Sequence, residues 1–169
     1  MAAGKSTIGR HLASELGVRF VDTDDLIVAR HGPVSGLFER AGEKGFRAAE
    51  FEAVRAALAE PPGVMALGGG AVTHAPTRAL LAERALRVYL DISVEALLAR
   101  LRRSRTVRPL LGPDPTLERI RELLSAREPF YREADIIVSG PRRSKQAFAR
   151  EIARRIASHS TRSASQSAR

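Results

Sequence analysis

Short apolar segments of β type alternate along this chain with longer segments that have helical periodicity. Strands are predicted at 18–21, 64–67, 86–90 and 135–139. Helices are predicted at about 5–16, 76–83, 93–102, 116–131 and 144–157, and a helical region with glycine interruptions at about 25–59. Strands that are separated by helices pair in parallel and are covered by helices on both faces. The sequence therefore predicts an α/β fold that binds ligands at the carboxyl ends of its strands.

The length and composition suit one domain. The chain has 169 residues, of which 44% are hydrophobic, and we expect a single domain over 1–157 and a disordered basic tail over 158–169.

No apolar run approaches the roughly 18 residues that span a bilayer, and no secretory signal is visible, so we expect a cytoplasmic protein without a membrane partner. There is no cysteine, and the four histidines have no ligand spacing, so any metal must be held by oxygen.

The net charge of +9 lies mostly at one end of the chain. Residues 140–169 carry eight basic residues and one acidic residue, which is +7 of the total. The nearly balanced remainder has neither a motif that reads nucleic acid nor a basic face studded with aromatic side chains. We therefore expect a solvated basic helix and no nucleic-acid partner.

The segment Gly4-Lys5-Ser6-Thr7 opens the first helix. It matches the second half of the phosphate-binding loop, in which glycine lets backbone N–H groups approach phosphate oxygens, lysine reaches the outer phosphates and the hydroxyl ligates Mg²⁺. The same four residues are also compatible with an ordinary glycine turn. Counted back from Gly4, the first glycine of the motif would fall two places before Met1. We expect that a central strand is missing through truncation or a late start codon, and that about 10 to 15 upstream codons encode an apolar β-rich run ending in glycine.

Two carboxylates one residue apart follow the first predicted strand, in Asp22-Thr23-Asp24. One can hold magnesium and the other can face an acceptor hydroxyl, as phosphoryl transfer to an alcohol requires. The alternative is purely structural, because acidic residues at a strand end are common helix caps, and Asp24 or Asp25 could be only that.

Three glycines, Gly68, Gly69 and Gly70, follow the second predicted strand, and close approach of the backbone to a ligand explains them better than a simple turn. Arg47, Arg108 and Arg127 stand in distinctive settings: Phe-Arg, Arg-Pro-Leu-Leu and Arg-Glu-Pro. The planar guanidinium group suits bidentate binding of carboxylate or phosphate, although each arginine taken alone also fits a surface position.

Taken in order, six elements of residues 1 to about 139 resemble shikimate kinase: Gly-Lys-Ser-Thr, Val-Asp-Thr-Asp, Gly-Phe-Arg-Ala-Ala-Glu, Leu-Gly-Gly-Gly-Ala-Val, Thr-Val-Arg-Pro-Leu-Leu and Arg-Glu-Pro-Phe-Tyr. The resemblance implies a three-layer phosphate-loop fold of the nucleoside-monophosphate-kinase type, whose central parallel sheet lacks its first strand in this chain. It also implies transfer of the γ-phosphoryl group of ATP to the 3-hydroxyl of shikimate. Separately, the nearly balanced charge of residues 1–139 and the lack of a coiled-coil heptad favour a monomer.

The resemblance further implies the roles of individual residues. Lys5 and the backbone from Ala2 through Ala3 and Gly4 to Thr7 would hold ATP, and Ser6 and Asp22 would arrange Mg²⁺. Arg108, in a lid over about 101–115, would close on the phosphoryl group, and Arg142 or Arg143 would lie near adenine. On the acceptor side, Asp24 would orient or deprotonate the hydroxyl, Arg47 and Arg127 would bind the carboxylate, and Gly68, Gly69 and Gly70 would line the pocket.

Two alternative functions stay open. A kinase of another small polyol or sugar acid, such as gluconate, would share the phosphate loop without needing the whole set of acids, glycines and arginines. A regulatory module that binds shikimate without catalysis would be expected to lose Lys5 or Asp24, and both are present.

Overall fold

The computed structural model describes residues 3–103, 116–139 and 144–167. In chain order its elements are α1 (Lys5–Leu16), β1 (Arg19–Asp22), α2 (Thr23–His31), α3 (Val34–Ala59), β2 (Gly63–Ala66), a 3₁₀ turn (Ala71–Thr73), α4 (Ala75–Arg84), β3 (Val88–Asp91), α5 (Val94–Arg103), α6 (Leu117–Ser125), α7 (Glu128–Arg132), β4 (Ile136–Ser139) and α8 (Lys145–Ser167). The predicted α/β class is confirmed, and every predicted strand lies within about two residues of an observed one.

The four strands form two parallel pairs. Strand β1 pairs with β2 and β3 pairs with β4, and within the described residues β2 and β3 are not hydrogen-bonded to each other. A cavity of about 600 Å³ lies between these two inner strands, lined by Val64 and Ala66 on one side and by Val88 and Leu90 on the other. Within the described residues, β2 and β3 therefore each have an unpaired edge that faces this apolar cavity.

The helices bury apolar side chains in two clusters. Helix α1 packs against α8, and Ile8, Leu12 and Ile152 join side chains of α5, α6, β3 and β4 in the larger cluster. The smaller cluster lies between α2 and α3 and includes the stacked rings of Phe38 and Phe46, whose centroids are 4.6 Å apart. This second cluster fixes α3, which carries functional side chains, against α2, which directly follows β1.

Two glycines break the long helical region predicted at 25–59. Gly32 ends α2 with a φ of 76°, and Gly42 kinks α3 with a φ of 62°. Positive φ angles favour glycine, so glycine suits both breaks.

The single helix predicted at 116–131 is wrong, because the structure has two helices, α6 and α7, separated at Ala126 and Arg127. Pro129 is in the first turn of α7 and has no N–H to continue the hydrogen bonding of α6. Because of this break, Arg127 caps the start of α7 and does not follow the helical repeat of α6.

Helix α8 continues to Ser167, through residues for which the sequence analysis expects disorder. The hydroxyl groups of Ser158, Ser160 and Thr161 donate to the carbonyl oxygens of the residues four positions earlier. Such bonds satisfy polar side chains within the helix itself. None of the described helices is long and apolar enough to cross a membrane.

Candidate active site

The predicted phosphate loop leads into the first turn of α1. Gly4 adopts the left-handed conformation, with φ 87° and ψ 23°, and caps the helix without a side-chain hydrogen bond. Lys5, Ser6 and Thr7 form the first helical turn, whose N–H groups carry the positive end of the helix dipole. The guanidinium of Arg100, which the sequence analysis does not single out, donates to the Ala3 carbonyl oxygen at 2.8 Å.

One carboxylate connects this turn to the acidic segment. The Ser6 hydroxyl donates to Oδ2 of Asp22 at 2.5 Å, and the backbone N–H of Asp24 donates to Oδ1 of Asp22 at 3.1 Å. The cap of α2 is therefore Asp22, and the expectation that Asp24 or Asp25 serves as the cap is wrong. Because Asp22 provides the cap, the side chain of Asp24 does not serve this structural role.

Thr23 ties the ends of β1 and β2 together. Its side chain is fully buried, and its hydroxyl donates to the Ala66 carbonyl oxygen at 3.3 Å and accepts from the Gly68 N–H at 3.1 Å. The bond fixes the start of the glycine segment beside the acidic segment. Sequence reasoning gave Thr23 no role, because threonine between two acids carries no signal of a bond across strands.

The glycines accommodate charged side chains of the site. A Cβ atom on Gly68 would lie 2.4 Å from Oε1 of Glu50 and 2.9 Å from Oδ1 of Asp24. A Cβ on Gly70 would lie 2.6 Å from Nη2 of Arg47. The glycine segment is thus where the predicted acceptor residues from α2 and α3 meet.

Glu50 is a buried acid that sequence reasoning missed. It is 1% exposed, and Nη1 of Arg47 donates to its Oε2 at 2.7 Å. Burial raises the pKa of Glu50 above its usual value, and the hydrogen bond from Arg47 opposes that rise. The spacing of three residues within Phe-Arg-Ala-Ala-Glu is the signal that could have found it, since such pairs face each other on a helix.

Arg127, at the start of α7, contacts the same glycine segment as Arg47, which lies on α3. The side chain lies at the start of α7 within a residue that is 7% exposed, and its Nη1 donates to the Gly69 carbonyl oxygen at 3.2 Å. Two buried arginines, Arg47 and Arg127, therefore flank Gly69 and Gly70.

The structure brings together the predicted acceptor residues Asp24, Arg47, Gly68, Gly69, Gly70 and Arg127. It also joins Ser6 of the predicted phosphate loop to Asp22. Four predicted residues, Ala2, Arg108, Arg142 and Arg143, lie outside the described residues, as does most of the predicted lid. The described residues contain no group of three or more histidines and acids that could hold a metal ion.

A parallel α/β fold with a glycine-capped Lys-Ser-Thr turn beside paired arginines defines the class of small-molecule kinases with a phosphate-binding loop. The comparisons agree with this class. The family model for shikimate kinase matches residues 1–157. The chain therefore belongs to the shikimate kinase family, and it is an ATP-dependent kinase that transfers a phosphoryl group to shikimate.

Individual relatives support the assignment. A shikimate kinase of Mycobacterium avium is 47% identical over 156 residues, which cover 91% of this chain and 88% of that protein. A shikimate kinase of Paracidovorax citrulli is 44% identical over 87% of this chain and 81% of that protein. The structure of an Acinetobacter baumannii shikimate kinase in complex with shikimate matches with a TM-score of 0.87 and 38% identity over 94% of this chain and 89% of that one. The resemblance that the sequence motifs indicate is confirmed.

Proposed function

We propose that this chain transfers the γ-phosphoryl group of ATP to the 3-hydroxyl of shikimate with the division of roles that the motifs imply. The observation that carries the proposal is the convergence of Asp24, Arg47 and Arg127 on one glycine segment. Two guanidinium groups suit an acceptor that has a carboxylate, and a nearby carboxylate suits an acceptor that has a hydroxyl.

The start of α1 is the proposed nucleotide site. Backbone N–H groups of Ala2 to Thr7, the ammonium of Lys5 and the helix dipole together offer positive charge to the phosphates. We place Mg²⁺ beside Ser6 and Asp22, whose oxygens lie 2.5 Å apart. This pair fits the ion, since Mg²⁺ takes one or two protein oxygens and completes its shell with waters and phosphates. When bound, the ion neutralises charge on the transferred phosphoryl group.

The glycine segment is the proposed acceptor site. Arg47 and Arg127 bind the carboxylate of shikimate, and Gly68, Gly69 and Gly70 line the pocket without side chains. Asp24 accepts a hydrogen bond from the reacting hydroxyl and receives its proton as the phosphoryl group arrives. In a loose transition state, positioning and charge stabilisation supply most of the rate enhancement, so these contacts account for catalysis.

Further roles belong to residues outside the described part of the chain. Arg108, carried by a lid over 101–115, closes on the transferred phosphoryl group, and Arg142 or Arg143 contacts the adenine. We also propose a cytoplasmic monomer that has ATP and shikimate as its partners.

A coupled assay of ADP release tests the proposed function. The chain is incubated with ATP and Mg²⁺, and shikimate, gluconate or no acceptor is added. We expect release that depends on shikimate and is lost when EDTA removes Mg²⁺. Release with gluconate alone would favour the sugar-acid kinase. Binding of shikimate without release under any condition would favour the regulatory module.

A further inference from the structure

Two side-chain donors converge on a single backbone oxygen in the glycine segment. The hydroxyl of Tyr131 donates to the Gly69 carbonyl at 2.5 Å, and Nη1 of Arg127 donates to the same oxygen at 3.2 Å. A carbonyl oxygen has two lone pairs, and these two donors engage both. Its direction is therefore fixed from two sides.

The direction of this carbonyl matters because of the peptide that contains it. Gly69 and Gly70 lack Cβ atoms, so the peptide between them can rotate more freely than a peptide between residues that have side chains. The peptide is trans, so the N–H of Gly70 points opposite to the Gly69 carbonyl and away from α7. In the described part of the chain, nothing accepts a hydrogen bond from the N–H of Gly69 or Gly70.

The ring of Tyr131 is itself held in place. It stacks on Tyr89 of β3 with ring centroids 5.1 Å apart and an angle of 19° between planes. Burial raises the pKa of Tyr131 above its usual value, so the phenol stays protonated at neutral pH and remains a donor. A neutral phenol on a rigid support is suited to fixing a flexible backbone group.

We propose that Tyr131 is a positioning residue for the acceptor carboxylate, and that its hydroxyl holds the Gly69–Gly70 peptide between Arg47 and Arg127. It also leaves one lone pair of the carbonyl to Arg127, which keeps that guanidinium beside the pocket. This inference rests on the proposed acceptor site. It adds a residue that touches neither shikimate nor ATP.

Removal of one oxygen atom tests the inference. Tyr131→Phe is expected to raise the KM for shikimate about 3- to 10-fold, the effect of losing one hydrogen bond to a positioned group, and to leave the KM for ATP within about 2-fold. Tyr89→Phe is the matched control, because it removes the same atom from the other ring of the stacked pair, and it should change neither KM. Equal changes in both KM values, or equal effects of the two variants, would overturn the inference.

A second measurement covers the case in which Tyr131→Phe does not fold. The chain has only two tyrosines, so 3-fluorotyrosine incorporated into the Tyr89→Phe variant labels position 131 alone. We expect shikimate to shift the single ¹⁹F resonance and ATP alone to leave it in place. Shikimate binding, measured by calorimetry, without a shift would overturn the role of Tyr131 and leave the kinase assignment intact. Absence of shikimate binding to the wild-type chain would overturn both.

Discussion

Asp24 and Arg127 approach the same glycine segment but have different proposed tasks. Asp24 acts on the reacting hydroxyl, so Asp24→Asn is expected to lower kcat about 100-fold or more, the usual contribution of a positioned base. The KM for ATP should stay within about 2-fold, because the cap of α2 is on Asp22 and the nucleotide turn is unchanged. Steady-state kinetics with each substrate varied in turn will measure both constants.

Arg127→Ala should give the complementary result. Loss of a charged hydrogen-bond donor to the carboxylate is expected to raise the KM for shikimate about 10- to 100-fold, with a smaller effect on kcat. The same steady-state assay measures it. A comparable loss of ATP affinity in both variants would contradict this division of roles.

Gly68 is the residue at which an added methyl group has the sharpest consequence. A Cβ there would lie 2.4 Å from Glu50, whose buried carboxylate cannot move without breaking its bond to Arg47. We expect Gly68→Ala to lower kcat/KM for shikimate about 100-fold, as small displacements of reacting groups do. Gly36→Ala is the control in the coupled assay, because its Cβ would meet only the flexible end of Arg40, and it should leave activity unchanged.

At the scale of elements, the ion pair between Arg87 and Asp135 links the starts of β3 and β4. Both carboxylate oxygens of Asp135 accept from the guanidinium of Arg87, and Oδ2 also accepts from the Arg87 backbone N–H at 2.7 Å. These bonds hold the pKa of Asp135 below its usual value of 3.8. A lowered pKa means that the pair stabilises the fold above about pH 4 and that this stability is lost as pH falls through the folded-state pKa.

Asp135→Asn should therefore lower the free energy of unfolding by about 1 to 2 kcal/mol at pH 7, since the pair is partly exposed, and by almost nothing near pH 2. Urea unfolding at both pH values will measure the difference. Glu52→Gln removes an exposed pair with Arg55 and serves as the control, with an expected change below about 0.5 kcal/mol. A difference that persists undiminished at pH 2 would exclude the ion pair as its cause.

The elements also indicate what the sequence can and cannot specify. Periodicity placed the strands, because it is a local signal. Glycines indicated interruptions of the helical region over 25–59 without specifying that the breaks lie at Gly32 and Gly42. The break before α7 was missed although Pro129 marks it, since the apolar period continues across it. Thr23 was missed because tertiary packing brings its partners, Ala66 and Gly68, to it. Glu50 was missed although its partner Arg47 lies only three residues away on the same helix. The predicted acceptor residues rest on the resemblance of the motifs to shikimate kinase, because the distances between them cannot be read from the chain.

At the scale of the whole molecule, the open middle of the sheet predicts that an added strand will stabilise the domain. The inner strands β2 and β3 each pair on one side only within the described residues, and Ala3 lines the cavity between them. Eight Val- and Ile-rich residues joined ahead of Met1 are expected to pair with both edges and raise Tm by at least about 5 °C. Scanning calorimetry will measure this, and hydrogen exchange should slow at Val64 and Leu90.

The control for this experiment is the same extension with proline at alternate positions. Proline cannot donate to a ladder, so this chain should melt at the temperature of the original. Equal stabilisation by both extensions would mean that burial of apolar surface, and not strand pairing, raises the Tm.

The cavity has one more physical consequence, which concerns volume. Compression favours whichever state occupies less volume, and a folded state with an apolar cleft of about 600 Å³, partly open to solvent, loses the poorly packed part of that volume on unfolding. Hydrostatic pressure should accordingly denature this domain at loads that tightly filled proteins of equal length withstand.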